Sequence, residues 1–126
     1  MNEAMKISEA EWRVCQVLWR RSPQTANEIV TALADKTDWN PRTVKTLLNR
    51  LVKKNVLDYE SRGREYHYSP RLSEEECVQA QTQSFVKRVF NGAAGAMVAT
   101  FLNSQKLTPK EIAELKAILK QKAGKK

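Results

Sequence analysis

The sequence has little glycine and little proline, and it has no long apolar run. Four glycines and four prolines in 126 residues exclude collagen-like and low-complexity chains. No apolar stretch reaches the roughly 18 residues of a membrane-spanning helix, and the first residues lack an apolar core of signal-peptide length. We therefore expect a cytoplasmic protein with no membrane insertion.

The cysteines and the single histidine form no metal or disulfide motif. Cys15 and Cys77 lie far apart, neither belongs to a C-x-x-C pair, and His67 is close to neither of them in sequence. We expect both cysteines to be reduced and packed as small apolar side chains. The scattered glycines provide no phosphate-binding loop, and no spaced pair of carboxylates faces a predicted pocket. The sequence predicts no metal, no cofactor and no enzymatic activity.

Positive charge exceeds negative charge in this chain. Lysine and arginine total 22 against 14 aspartates and glutamates, which gives a formal net charge of +8. Such an excess favours a polyanionic partner, usually a nucleic acid. A basic surface without a specific partner has the same total charge, so the distribution of the charge decides between the two.

Two capping boxes predict the first two helices. Ser8 with Glu11, and Thr25 with Glu28, have the S/T-x-x-E spacing in which each side chain bonds the other residue's backbone amide. The first helix is expected to end before Pro23, because the residue before a proline disfavours the helical region. The sequence therefore begins with two short helices.

The third predicted helix has one apolar face and one basic face. It begins at Asn40, a good cap, with Pro41 at the first helical position. Its apolar residues have the i, i+3, i+4, i+7, i+8 spacing of a core-facing stripe. The stripe consists of Val44, Leu47, Leu48, Leu51 and Val52. The opposite face carries Arg42, Thr46, Asn49 and Lys53, flanked by Thr43, Lys45 and Arg50.

After this helix the apolar residues alternate, which is typical of strands. Residues 56–60 and 64–69 are predicted as two strands, with Ser61–Gly63 as the turn between them. Three helices and a hairpin within residues 1–72 indicate a winged helix-turn-helix domain. The predicted fold class is mainly α with a small β-hairpin wing.

The basic helix suits the major groove of DNA. Every charged residue from 40 to 56 is basic, which argues against a merely solvated face. Arginine and asparagine can read guanine and adenine edges bidentately. An exposed hairpin tip without a DNA contact is the alternative for the wing. We predict base contacts for Arg42, Thr43, Thr46 and Asn49, and phosphate contacts for Lys45, Arg50, Lys53, Arg62 and Arg64.

Residues 73–126 are predicted to form a helical dimerisation domain. Ser73 with Glu76 begins a fourth helix, an apolar segment covers residues 95–102, and a last helix starts at Thr108. Three short helices cannot bury two apolar sides among themselves, whereas pairing with a second copy buries them. The alternative is that these residues pack onto the first domain as one monomeric core.

Several segments carry a family resemblance. The most specific one, at residues 38–54, is DWNPRTVKTLLNRLVKK, and others lie at residues 7–12, 25–29 and 107–115. With these segments the chain resembles the BlaI/MecI penicillinase-repressor family over nearly its whole length. The resemblance implies a homodimer that represses transcription by occupying a palindromic operator. It also implies control of a β-lactamase-type or stress-response operon.

The resemblance implies a way of relieving repression as well. Penicillinase-type members are inactivated by proteolysis at an Asn-Phe bond within a short apolar helix, which implies a membrane-sensor protease as a partner. The matching bond here is Thr100–Phe101, where the phenylalanine is retained and the asparagine is not. Copper-responsive relatives carry a C-terminal cysteine cluster, whereas this chain has no cysteine after Cys77. The sequence therefore predicts a candidate cleavage site and no copper site.

Two other functions are compatible with the same fold. An apolar dimer interface can hold a ligand, which would make the chain a small-molecule-responsive winged-helix regulator. A winged helix can also serve protein contacts alone, although such a module would not need Arg42, Lys45 and Arg50 on an acid-free helix. Binding to a random duplex at low salt separates a DNA-binding protein from an enzyme or a protein-only module.

Overall fold

Residues 6–124 are described in the computed structural model of the chain. They divide into two compact units, of which the first ends at Ser84 and the second begins at Phe85. In chain order the elements are α1 (Glu9–Arg20), α2 (Ala26–Ala32), α3 (Pro41–Lys53), β1 (Leu57–Arg62), β2 (Glu65–Pro70), α4 (Glu74–Phe90), α5 (Ala94–Ser104) and α6 (Pro109–Ala123).

The predicted capping boxes of α1 and α2 are confirmed. The Ser8 hydroxyl accepts a hydrogen bond from the Glu11 amide at 3.1 Å, and the Glu11 carboxylate accepts one from the Ser8 amide at 2.7 Å. Thr25 and Glu28 exchange the same two bonds at 3.2 and 2.8 Å. These bonds satisfy amides that the first turn of a helix leaves without partners.

The core of the first unit lies among α1, α2, α3 and the base of the hairpin. Four of the five predicted α3 stripe residues are buried, and Val52 is half-buried. Burial of one such leucine contributes about 1.5–3 kcal/mol. The fully buried apolar side chains of this core are Val14, Cys15, Leu18, Ile29, Val44, Leu48, Leu51, Val56, Leu57 and Cys77. This packing fixes which face of α3 is left for solvent.

The hairpin turn lies later in the chain than the sequence predicted. The strands pair in antiparallel register from Leu57 opposite Pro70 to Arg62 opposite Glu65, so only Gly63 and Arg64 connect them. The prediction of Ser61–Gly63 as the turn was wrong. Gly63 adopts a left-handed φ of 63°, which lets two residues close the hairpin and leaves Arg62 in the ladder.

The base of the wing is attached to the segment between α1 and α2. Gln24 and Tyr68 exchange two backbone hydrogen bonds, at 3.0 and 2.8 Å. The Trp19 indole donates to the Leu72 carbonyl at 3.0 Å, just beyond β2. The end of α3 is fixed as well, because Asn55, just after the helix, adopts a left-handed φ of 64°. The wing and α3 are therefore held on one frame.

The second unit leaves much of its apolar surface exposed. Phe85 and Phe90 contact each other with ring centroids 5.9 Å apart. The other large exposed apolar side chains of this unit are Val89, Val98, Phe101, Ile112, Ile118 and Leu119. The compact units divide within α4, because Cys77 near its start is buried in the first core. The boundary between a DNA-binding domain that ends at residue 72 and a dimerisation domain that begins at residue 73 stays a prediction.

The predicted starts of α4 and α6 are both confirmed. The Ser73 hydroxyl accepts from the Glu76 amide at 3.1 Å, and Thr108 accepts from Glu111 at 3.1 Å. Over residues 6–124, no helix has the length and apolar character to cross a membrane. The starts of α4 and α6 thus coincide with local sequence signals, whereas α5 begins after Ala93 with no side-chain cap.

Candidate nucleic-acid interface

The solvent face of α3 carries the predicted DNA contacts. Asn40 caps the helix by accepting a hydrogen bond from the Thr43 amide at 2.9 Å, and Pro41 occupies the first turn. Because the apolar stripe faces the core, the remaining side chains are left for a ligand. Thr43 is half-buried, and the exposed predicted contacts of α3 are Arg42, Lys45, Thr46, Asn49, Arg50 and Lys53.

Thr46 presents its methyl group and its oxygen lone pairs rather than a free hydroxyl proton. Its hydroxyl donates to the Arg42 carbonyl at 3.1 Å, one turn earlier in the helix. This back-bond uses the only proton that the side chain can donate. The chemistry left to Thr46 is apolar contact with a thymine methyl group or acceptance of a hydrogen bond.

A groove of about 500 Å³ lies between the start of α2, the solvent face of α3 and the wing. We call it the first groove. It brings together Lys45 and Asn49 of α3 with Arg64 of the wing turn. The other lining residues are Thr25, Ala26, Asn27, Ser61, Gly63, Glu65, Tyr66 and Tyr68. Two cations predicted to bind phosphate and one amide predicted to read a base therefore border one cleft.

Arg62 lies on the other face of the hairpin. Its Nε is 3.0 Å from the Glu60 carboxylate, two residues earlier on the same strand. Alternate residues of a strand share a face, so Arg62 and Glu60 point away from the face that carries Tyr59 and Tyr66. Both side chains are largely exposed, and an exposed pair of this kind is worth only about 0–1 kcal/mol.

Lys54, one of the basic residues of segment 40–56, does not join the DNA face. Its ammonium group lies 2.7 Å from a Glu11 carboxylate oxygen and 2.7 Å from the Lys6 carbonyl. Glu11 is only 1% exposed. The basic segment therefore provides a structural ion pair as well as a ligand surface. The charge pattern alone did not show which of its cations serves which role.

Tyrosines of the wing line the first groove, although the sequence did not predict a tyrosine at the site. Tyr68 is buried, whereas Tyr59 and Tyr66 are each 49% exposed, and their ring centroids are 4.6 Å apart. Burial, followed by the neighbouring Tyr66 and Tyr59, raises the pKa of Tyr68, so this phenol stays neutral. Alternation along the strands places Tyr59, Tyr66 and Tyr68 on one face of the hairpin. That this face borders the first groove, which Tyr66 and Tyr68 line, is known only from the tertiary structure.

The cysteines lie in the core of the first unit. Cys15 and Cys77 are free thiols with no exposed surface, as the sequence predicted. Burial raises the pKa of Cys15 to about 12, and Cys77 and Glu11 add to the effect. Within residues 6–124, no three His, Cys, Asp or Glu side chains are grouped to hold a metal ion.

The candidate cleavage site lies within α5. Thr100 and Phe101 are both exposed, and Phe101 keeps 55% of its surface accessible. The scissile bond would be one of the helical peptide bonds of Ala94–Ser104. A protease that requires an extended substrate must therefore unwind at least one turn of α5.

Comparison with known proteins gives a match along nearly the whole chain. Residues 7–121 match the family model described as penicillinase repressor. The chain is 35% identical over 126 residues to the penicillinase repressor of Bacillus licheniformis, an alignment covering 100% of this chain and 98% of that protein. It is 31% identical over 121 residues to the methicillin resistance regulatory protein MecI of Staphylococcus aureus, covering 96% and 98%.

Solved structures agree with the winged-helix fold. The DNA-binding domain of the repressor BlaI superimposes with a TM-score of 0.53 at 36% identity, over 60% of this chain and 93% of that domain. A mutant of MepR from Staphylococcus aureus, bound to an oligodeoxyribonucleotide, gives a TM-score of 0.53 at 21% identity, over 94% and 78%. The second likeness concerns the fold alone. The predicted fold class is thus confirmed.

Proposed function

This chain belongs to the penicillinase repressor family, and we propose that it represses transcription by occupying a palindromic operator as a homodimer. The family consists of DNA-binding transcriptional repressors and not of enzymes. The observation that carries the proposal is the exposed, acid-free face of α3 beside the first groove. Such a face can neutralise phosphates and read base edges in the same docked position.

In the proposed complex, α3 lies in the major groove. Arg42, Thr43, Thr46 and Asn49 read base edges, with Thr46 using its methyl group. Phosphate contacts come from Lys45, Arg50, Lys53, Arg62 and Arg64. Exposure of all these side chains except the half-buried Thr43 supports their roles, and Arg64 of the wing and Lys45 of α3 both line the first groove. Arg62 reaches a phosphate by leaving Glu60, which costs little at an exposed pair.

Titration of the full chain with a random-sequence duplex tests DNA binding itself. Phosphate contacts do not depend on sequence, so the unaltered chain binds this duplex at low salt with a linear dependence of log Kobs on log salt. Lys45→Ala lowers the steepness of that dependence by about 0.9 per contact. Lys116→Ala, which removes the same charge from an exposed site in α6, leaves it unchanged. Equal effects of the two variants contradict a DNA-binding α3.

A second copy of the chain is the proposed cover for the exposed apolar surface of the second unit. Phe101 and Leu119 are more than half exposed. Complete burial of a fully exposed side chain of this size contributes about 1.5–3 kcal/mol. A two-fold interface buries the same patch twice and is the commonest oligomeric arrangement. It also supplies the two α3 helices that a palindrome requires.

The location and the induction mechanism are also proposals. We place the protein in the cytoplasm, where its operator DNA lies. We propose that repression is relieved by cutting at Thr100–Phe101, with a membrane-sensor protease as the partner. Support comes from family membership and from exposure of this bond in α5. A cut there removes α6 from the interface and separates the two α3 helices.

A further inference from the structure

A second groove, of about 340 Å³, lies between α1, α2 and the turn that follows α2. It borders α2 on its Glu28 and Thr31 side, whereas Ala26 and Asn27 of the same helix line the first groove. The seven-residue helix α2 thus contributes to both grooves. A helix with its side chains is about 10–12 Å in diameter, so only a short distance separates the two.

The second groove is strongly basic. Arg13, Arg20, Arg21 and Lys36 line it, and among the described residues that line it Glu28 is the only acid. Arg13 and Arg20 lie seven residues apart on α1, so they share one face of that helix. Within residues 6–124, ion pairs join Arg21 to Glu28 at 3.6 Å but do not involve Arg13, Arg20 or Lys36. Three cations of the groove, of which Arg20 and Lys36 are exposed and Arg13 is half-buried, therefore have no carboxylate partner in the described chain.

We propose that the second groove binds the phosphate backbone of the DNA that flanks the operator half-site. The inference rests on the proposed function, because DNA must first occupy α3 and the first groove. The major groove alone is about 12 Å wide, so a duplex docked on α3 extends past the edge of α2. Duplex DNA carries one negative charge per about 1.7 Å of its axis, counting both strands, so flanking DNA offers a phosphate to each cation of the groove.

Proximity to the first groove, on the other side of the seven-residue helix α2, favours DNA over an acidic protein segment. A protein partner of standard size is held by buried aromatic or arginine anchors in fitted pockets. The floor of the second groove consists of small and aliphatic side chains such as Val17, Ala32 and Leu33, with no aromatic residue. Long basic side chains above such a floor suit a regular row of phosphates. These contacts position the domain and carry no sequence information.

The salt dependence of binding to a random-sequence 40-base-pair duplex tests the proposal. The triple variant Arg13→Gln, Arg20→Gln, Lys36→Gln removes the three unpaired cations from the full chain. We expect the slope of log Kobs against log salt to become less steep by about 0.9 per lost contact, or roughly 2–3 per protomer. The matched control Lys110→Gln, Lys116→Gln, Lys120→Gln removes the same charge from exposed positions of α6 and leaves the slope unchanged.

Each outcome has a distinct meaning. An unchanged slope in the groove variant, with its circular dichroism and melting temperature intact, overturns the flanking-DNA contact and leaves an acidic protein as the partner to seek. Equal losses in the groove variant and the control overturn it too, because the effect is then one of total charge. If the unaltered chain does not bind the random duplex at low salt, the proposed function fails together with this inference.

Discussion

The Lys54 ammonium group lies 2.7 Å from Oε1 of Glu11, and this pair joins the end of α3 to the start of α1. The same carboxylate accepts the Ser8 amide at 2.7 Å, so one side chain serves both the capping box and the ion pair. Glu11 is buried, and the Lys54 side chain is only 19% exposed. The orientation of α3 is therefore fixed by charge as well as by its apolar stripe.

Lys54→Met should destabilise the first unit. The substitution leaves the Glu11 carboxylate buried without its cation, and breaking a buried pair in this way costs about 3–5 kcal/mol. Equilibrium unfolding in urea measures the loss. Lys53→Met, at the exposed neighbouring position, is the matched control and should stay within about 0.5 kcal/mol of the unaltered chain. Similar losses in both variants would show that the ion pair is not structural.

Glu11 should make stability sensitive to acid. Burial opposes its ionisation, but hydrogen bonds from Lys54 and Ser8 and the charge of Lys54 outweigh burial and lower its pKa below the ordinary value of 4.5. A carboxyl group whose pKa is lower in the folded than in the unfolded state stabilises the fold fully at pH values above its unfolded-state pKa. That stabilisation is lost as the pH falls through the folded-state pKa. We expect the free energy of unfolding to drop as the pH falls below the ordinary glutamate value of 4.5. Glu11→Gln should show a shallower drop; an identical pH profile would refute the assignment.

Glu60→Gln should strengthen DNA binding through the wing. The change frees Arg62 from its partner at 3.0 Å and removes a negative charge near the phosphates. Affinity for a random duplex should rise by up to about 1 kcal/mol, because Arg62 no longer has to leave an exposed acidic partner to reach a phosphate. Glu75→Gln, at an exposed position of α4, controls for net charge. No difference between Glu60→Gln and Glu75→Gln would mean that Arg62 does not touch DNA.

Phe101→Asp with Leu119→Asp should dissociate the homodimer. Both side chains are more than half exposed in the second unit, and a charge in their place is expensive to bury at an interface. We expect dimerisation to weaken by at least about 2 kcal/mol, or roughly 30-fold. Sedimentation of the full chain measures it, with Asn103→Asp of α5 as the control. A double variant as dimeric as the unaltered chain would place the interface elsewhere.

Cleavage at Thr100–Phe101 should accompany induction. Mass spectrometry of the protein from fully derepressed cells should detect a fragment that ends at Thr100. Thr100→Asn, which restores the residue implied by the family resemblance, should speed its appearance. An intact 14.4 kDa chain during full derepression would contradict proteolysis and favour release by a ligand.

The local elements of the fold were predictable because their signals lie within a few residues. The capping boxes at Ser8 and Thr25, the cap at Asn40 and the left-handed Asn55 each depend on three or four neighbouring positions. The turn was misplaced because alternating polarity does not fix strand register. Register here depends on pairing up to Arg62 and Glu65 across the turn.

The site was predictable only in part. Side chains on one face of α3 follow from helical periodicity, so their exposure was expected. The fate of Lys54 depends on Glu11, 43 positions away in the chain, and only the tertiary structure brings them together. Tyr66 enters the first groove because the wing folds back beside α3, which strand alternation does not specify.

Specificity ratios test the central claim, that the exposed face of α3 reads operator sequence. The operator is first identified by footprinting with the unaltered chain. The specificity ratio is the affinity for this operator divided by the affinity for a random duplex at the same salt concentration, and it is measured for the unaltered chain, Arg42→Ala and Lys53→Ala. We predict that Arg42→Ala lowers the ratio by a factor that corresponds to about 1–3 kcal/mol of binding free energy, because the variant loses a base contact. Lys53→Ala should weaken both affinities alike and keep the ratio. An unchanged ratio for Arg42→Ala, or equal losses in the two variants, would contradict the account.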